Sequence, residues 1–133
     1  MMVRAVVAIV LGALLAPAAF AEDSEPAEAP SISATELHAR RESKAAPAVI
    51  DVRTPEEYAS GHIPGAVNIP FDQVARRIAE IDAPHGVAVY CMVGPRARKG
   101  ESALLAAGFE NVLHLEGGMA AWQAAGLPVE RAQ

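Results

Sequence analysis

The 133 residues contain one cysteine, Cys91, and three cations follow it closely: Arg96, Arg98 and Lys99. The segment reads Val87-Ala88-Val89-Tyr90-Cys91-Met92-Val93-Gly94-Pro95-Arg96-Ala97-Arg98-Lys99. Its first part is short, apolar and β-branched, the pattern of a buried strand. Gly94 and Pro95 mark a turn, and helix is predicted over 96–107. A thiol between a strand end and a helix start meets backbone N–H groups and the positive end of the helix dipole. Those groups and the nearby cations favour the thiolate, which is the nucleophile. The amides of Met92, Val93, Gly94, Arg96 and Ala97 are expected to converge on the sulfur as an anion nest, Pro95 having none to give. Such a nest suits a thiolate, a bound sulfo or phospho group, or the outer sulfur of a persulfide. Cys91 is therefore expected to be exposed and reactive. The alternative is a buried structural cysteine, and the basic neighbours argue against it.

Arg96 is five residues after Cys91. Its fork of donors suits the oxygens of a sulfonate or thiosulfate. Arg98 and Lys99 are expected to be solvated and to act on the thiol through their field. Asp51 and Arg53 flank one strand end and are expected to form a buried pair that holds the loops around the site. His62 follows a glycine turn and is expected to satisfy loop backbone groups. His38, His85 and His114 have no metal-ligand spacing to Cys91 or to one another, so no metal is expected. The chain has no glycine-rich nucleotide loop and no serine-hydrolase elbow.

The elements that position these residues follow from local pattern. Ser33 with Glu36 forms a capping box that opens a helix over 34–42. The run 48–52 is apolar on both faces and reads as a central strand of a parallel sheet. Thr54, Pro55 and Glu57 start a second, short helix. Pro64 and Gly65 make a turn, and 66–69 is a short strand. Phe71, Val74, Ile78 and Ile81 recur at helical spacing and predict a helix over 71–81. Gly108 closes the helix that follows Cys91. A strand over 112–115, a turn at Glu116-Gly117-Gly118 and a helix over 119–125 complete the chain. Strands alternating with helices imply an α/β fold, a central mostly parallel sheet with helices on both faces. Ligands of such sheets bind at the carboxyl ends of the strands, where Cys91 lies.

The formal net charge of −5 excludes a general role on nucleic acid. The first residues carry Arg4, an apolar run and Ala19-Phe20-Ala21, the arrangement of a secretory signal peptide over 1–21. The apolar run is shorter than the roughly 20 residues of a spanning helix, and Pro17 interrupts it. Cleavage removes Arg4 alone among charged residues and leaves a charge of −6, from 10 basic and 16 acidic side chains. Residues 22–30, acidic and rich in alanine and proline, are expected to be a flexible leader. One domain spans 31–130. The expected location is periplasmic or secreted, with no membrane attachment after cleavage. In an oxidising compartment a lone cysteine cannot close an internal disulfide, so it is buried and inert, used between chains, or a free reactive thiol.

Three stretches together resemble the rhodanese family of sulfurtransferases, in its exported single-domain form. The first is Val49-Ile50-Asp51-Val52-Arg53-Thr54-Pro55-Glu56-Glu57-Tyr58, continuing through Gly61-His62-Ile63-Pro64-Gly65-Ala66. The second is the loop Cys91 to Arg96, of the form C-x-x-G-x-R. The third is Gly108-Phe109 with Leu115-Glu116-Gly117-Gly118-Met119-Ala120-Ala121-Trp122. The resemblance implies a double displacement. Cys91 takes a sulfane sulfur from thiosulfate or a related donor, and a thiophilic acceptor such as cyanide or a thiol removes it. Arg96 then binds the donor's anionic end, and neither an organic cofactor nor a metal is needed. Relatives of this fold that act on phosphate or arsenate have a loop one residue longer. Here the sixth position after the cysteine is Ala97, which implies a cradle sized for sulfur. A sulfane-sulfur carrier without useful turnover is the alternative. A catalytically silent domain is a third reading. A monomer is the expected state.

Overall fold

The computed structural model describes residues 12–13 and 27–132. The signal-peptide cleavage region and most of the expected leader lie outside the described residues. The elements are β1 (Ser31–Ile32), α1 (Ala34–Arg40), β2 (Ala48–Asp51), α2 (Pro55–Ser60), β3 (Val67–Asn68), a 3-10 helix (Ala75–Glu80), β4 (Val87–Tyr90), α3 (Pro95–Ala106), β5 (Val112–Leu115) and α4 (Gly118–Ala124). The strands form one five-stranded sheet in the order β1-β5-β4-β2-β3, and every pairing is parallel. This is the α/β class that the alternation of patterns predicts.

β4 is the central strand, and all four of its residues are fully buried. That explains why its sequence is a continuous apolar run rather than an alternation. Its side chains still alternate between two cores. Val87, Val89 and Cys91 join Ile50, Val52, Ala97, Leu104 and Val112 on the α3 face. Ala88 and Tyr90 join Leu37, Ile63, Leu115, Met119 and Trp122 on the α1 and α4 face. Each fully buried large side chain contributes about 1.5–3 kcal/mol, so both faces anchor the strand whose end carries the thiol.

β2 leads outward to β3, whereas β4 leads to β5 on its other side. The switch point of the sheet is therefore the crevice beyond the carboxyl ends of β2 and β4. Asp51 ends one of these strands, and Cys91 follows the other.

One local expectation is corrected, and one element carries no sequence signal. Residues 71–81 do not form one amphipathic α-helix. A turn leads into the 3-10 helix, and Arg77 inside it has φ −113° and ψ 18°, outside helical geometry. The apolar residues at helical spacing still pack inward, Val74 fully and Phe71, Ile78 and Ile81 in part. Packing thus satisfies the pattern without regular helix. At the start of the domain, Ser31–Ile32 is an edge strand beside β5, with His114 N–H donating to Pro30 O at 2.8 Å. Two residues are too short to show a periodicity in sequence.

Candidate active site

The sequence ends β4 at Tyr90 and starts α3 at Pro95, which suits the first helical turn because its missing N–H has no partner there. Between them the chain makes a tight loop. Gly94 N–H donates to Cys91 Sγ at 3.1 Å, so the glycine that opens α3 turns its amide onto the sulfur. The loop is held from its other side by α4. Met119 N–H donates to Cys91 O at 2.9 Å, and Ala120 N–H donates to Met92 O at 3.0 Å. The first amides of a short helix, which have no partners within it, thus fix the loop carbonyls outward from the thiol.

Gly117 and Gly118 make that approach possible, and both have positive φ, +72° and +56°. A Cβ on Gly118 would stand 2.4 Å from Cys91 O and 2.7 Å from Met92 O. The two glycines, read in sequence only as a turn, are the part that brings α4 against the reactive loop.

The thiol is not exposed: Cys91 is 1% accessible and belongs to the core on the α3 face. The reason is the parity of β4, which sends Cys91 to the same side as Val87 and Val89. The sulfur is covered yet held by an amide, so hydrocarbon alone does not enclose it. Of the expected cradle amides, Gly94 alone makes a hydrogen bond to the sulfur among the described residues. Met92 and Ala97 pack beside the loop, Ala97 fully buried, while Val93 is 61% exposed at its rim.

Arg96 is not an open fork waiting for an anion. Its Nη1 and Nη2 donate to Glu57 Oε1 at 2.6 Å and Oε2 at 3.1 Å. Glu57 also closes the capping box of α2, its carboxylate accepting from Thr54 N–H. Arg96 is held protonated chiefly by that carboxylate, with the negative end of Cys91 adding to the effect. The hydrogen bonds from Arg96 lower the Glu57 carboxyl from 4.5 to about 2. A donor anion therefore meets an arginine already neutralised by a glutamate, which sequence showed only as a helix cap. Because the folded value is the depressed one, this stability is full above about pH 4.5 and is lost as pH falls towards 2. Both side chains are about 30% exposed, so screening reduces the contribution to about 1 kcal/mol. Urea unfolding should show Glu57→Gln less stable than the parent by that amount at neutral pH, the gap closing near pH 2.

Asp51 and Arg53 are brought together at the switch point, 0% and 2% exposed. Arg53 Nη2 donates to Asp51 Oδ2 at 2.7 Å and to Gly61 O at 2.7 Å. Arg53 Nε and its own backbone N–H each donate to Asp51 Oδ1 at 3.0 Å. Asn68 Nδ2 donates to the carbonyls of both residues, which ties β3 to the same node. Burial and the charge of Asp51 both raise the Tyr90 phenol far above its usual range, and its oxygen accepts the Ile63 N–H at 3.1 Å. Arg53→Met strands Asp51 as a buried, unpaired charge. The expected loss is about 3–5 kcal/mol, read as a thermal midpoint lower by about 15–25 °C.

Arg98 and Lys99 do not merely face solvent. Arg98 Nη1 donates to Ala29 O at 2.8 Å and to Glu101 Oε1 at 3.3 Å. Lys99 Nζ lies 5.3 Å from the Phe71 ring centroid, a cation–π contact. His62 is stacked on Tyr58 and pairs Nδ1 with Tyr58 O at 2.8 Å, within the loop.

The comparisons with known proteins fit this geometry. The family model of the rhodanese-like domain matches residues 33–125. The chain belongs to the rhodanese family. The chain is 38% identical over 81 residues to a sulfurtransferase of Allochromatium vinosum, a match covering 61% of this chain and 76% of that protein. It is 38% identical over 87 residues to the thiosulfate sulfurtransferase GlpE of Pseudomonas entomophila, covering 64% of this chain and 77% of that one. The crystal structure of a rhodanese-related protein from Thermoplasma volcanium superposes with a TM-score of 0.70 at 30% identity, covering 77% of this chain and 99% of that chain. The matched region contains every rhodanese residue described above, from Asp51 to Gly118.

Proposed function

We propose that this rhodanese is a sulfurtransferase that moves sulfane sulfur from thiosulfate or a related donor to cyanide or a thiol through a persulfide on Cys91. The observation that carries the reading is the Gly94 amide on Cys91 Sγ, at the end of the central strand and the start of α3. In the first step the Cys91 thiolate attacks the outer sulfur of thiosulfate. The new S–S bond forms as the bond to the sulfite sulfur breaks, and sulfite leaves with the electron pair. In the second step cyanide attacks the outer persulfide sulfur, thiocyanate leaves, and the electron pair returns to Cys91. The persulfide's negative charge sits beside the Gly94 amide, and charged hydrogen bonds of this kind are about twice as strong as neutral ones. Arg96 steers the donor anion once it shares its donors between Glu57 and the incoming sulfonate. Asp51 and Arg53 hold the loops, and the reaction uses small-molecule partners. We place the protein outside the cytoplasm as a monomer, on the strength of its first residues and its unpaired cysteine.

The test is cyanide-dependent thiocyanate formation by the purified chain, with thiosulfate and several other sulfane-sulfur donors. Catalytic turnover with at least one donor supports the proposal. A stable added sulfur with no turnover on any donor selects the carrier reading instead.

A further inference from the structure

Beneath the reactive loop lies a buried, hydrogen-bonded histidine–glutamate pair that the double displacement does not use. His114 is in β5, directly in register with Val89 of β4, and therefore stands on the same sheet face as Cys91. Its Nδ1 is 2.7 Å from Glu101 Oε2. Glu101 comes from the second turn of α3 and is 1% exposed; His114 is 6% exposed. The other end of the ring is directed at the loop. A Cβ built on Gly94 would lie 3.7 Å from His114 Nε2 and 3.8 Å from Cε1. Nε2 makes no hydrogen bond among the described residues. The one amide that holds the thiol therefore belongs to the residue that the imidazole backs.

We propose that His114, clamped by Glu101, is a positioning residue for Cys91, its ring lying behind Gly94 and holding that residue's amide on the sulfur. Nothing in the double displacement requires such a group, and a structural pair alone would not need to place the free ring nitrogen against the loop. The neighbours are few. From α3 the ring faces Glu101, with Arg98 bonded to the same carboxylate. From β4 the side chains on this face are Val87, Val89 and Cys91, and β1 contributes Ser31. Glu28 lies across a cleft of about 410 Å³ that Arg98 and Glu101 also line. Burial raises the Glu101 carboxyl above its ordinary value against the opposing pull of His114 and Arg98.

The inference rests on Cys91 being the nucleophile, and the test reads the thiol without sulfur transfer. The rate of iodoacetamide alkylation is followed against pH on the whole chain, for the parent, His114→Gln and Glu101→Gln. Relative to the parent, the His114→Gln profile should lie about three- to tenfold lower on its acidic limb and meet it at the alkaline plateau, and Glu101→Gln, which releases the ring, should move it in the same direction. Circular dichroism and a cooperative thermal transition establish that each variant is folded, and Glu101→Gln serves if His114→Gln is not. Identical profiles in a folded variant overturn the proposal. So does a native thiol that reacts at no pH. If the profile depends on His114 while no thiocyanate is formed, the pair's role stands and the sulfurtransferase reading fails.

Discussion

Cys91→Ser is expected to abolish thiocyanate formation while leaving the fold standing, a loss of about 10³-fold or more. The substitution is nearly isosteric. The serine oxygen can still accept the Gly94 N–H that now reaches Sγ at 3.1 Å. A hydroxyl becomes a nucleophile only when a base takes its proton. No imidazole or carboxylate is bonded to Sγ among the described residues, so the loop offers an anion cradle and no base. The buried position costs little, about 1 kcal/mol, because the replaced group keeps its hydrogen bond. Thermal unfolding should therefore be nearly unchanged while cyanide-dependent turnover falls to background. Retained turnover in Cys91→Ser would place the chemistry elsewhere.

Gly118→Ala is expected to damage both folding and activity, by about 3–5 kcal/mol and about 10²-fold. Two effects combine. The backbone sits at φ +56°, where an L side chain costs about 1–2 kcal/mol. The new methyl would also lie 2.4 Å from Cys91 O and 2.7 Å from Met92 O, and these are backbone atoms with no rotamer to escape into. Either α4 retreats or the loop does. In both cases the bonds from Met119 N–H and Ala120 N–H to the loop carbonyls are stretched. Gly126→Ala separates the two effects. Gly126 has φ +67° and open space where its Cβ would go, so that variant should show only the backbone cost and full activity. If Gly118→Ala behaves like Gly126→Ala, the close packing of α4 on the loop has no catalytic weight.

Much of the architecture was legible because it rests on local signals. The apolar runs at β2, β4 and β5, the capping box at Thr54, and the Gly-Pro turn at 94–95 each point to one structure, whereas at Ser33 only half of the expected box forms: Ser33 Oγ accepts the Glu36 N–H, and the Glu36 carboxylate takes Arg40 instead. The 3-10 helix was misread because an inward-facing apolar spacing says which side chains are buried, not that the backbone between them is regular. β1 was invisible because an edge strand of two residues is specified by its neighbour rather than by itself.

The site was legible as a position and much less as a set of contacts. Cys91 at a strand end before a helix could be read directly. Its burial follows from which face of β4 it occupies, and that depends on the whole sheet. Arg96 was assigned to the substrate because its partner Glu57 lies 39 residues earlier in sequence, already explained as a cap. Glu101 carried a signal that helical spacing alone contains. It lies four residues after Ala97 and three before Leu104, so it shares their buried face. A carboxylate on that face requires a partner, and β5 holds one in His114. The Gly117-Gly118 pair shows the same limit: a double glycine announces a turn, and only tertiary packing reveals what comes close to it.

Intact-mass spectrometry of the folded chain after exposure to thiosulfate tests the central claim most directly. The account predicts one added sulfur atom, mapped to Cys91, absent from Cys91→Ser and removed by cyanide with release of thiocyanate. A chain whose Cys91 is alkylated by iodoacetamide in the native state, yet takes up no sulfur from thiosulfate or any other sulfane donor, would contradict it.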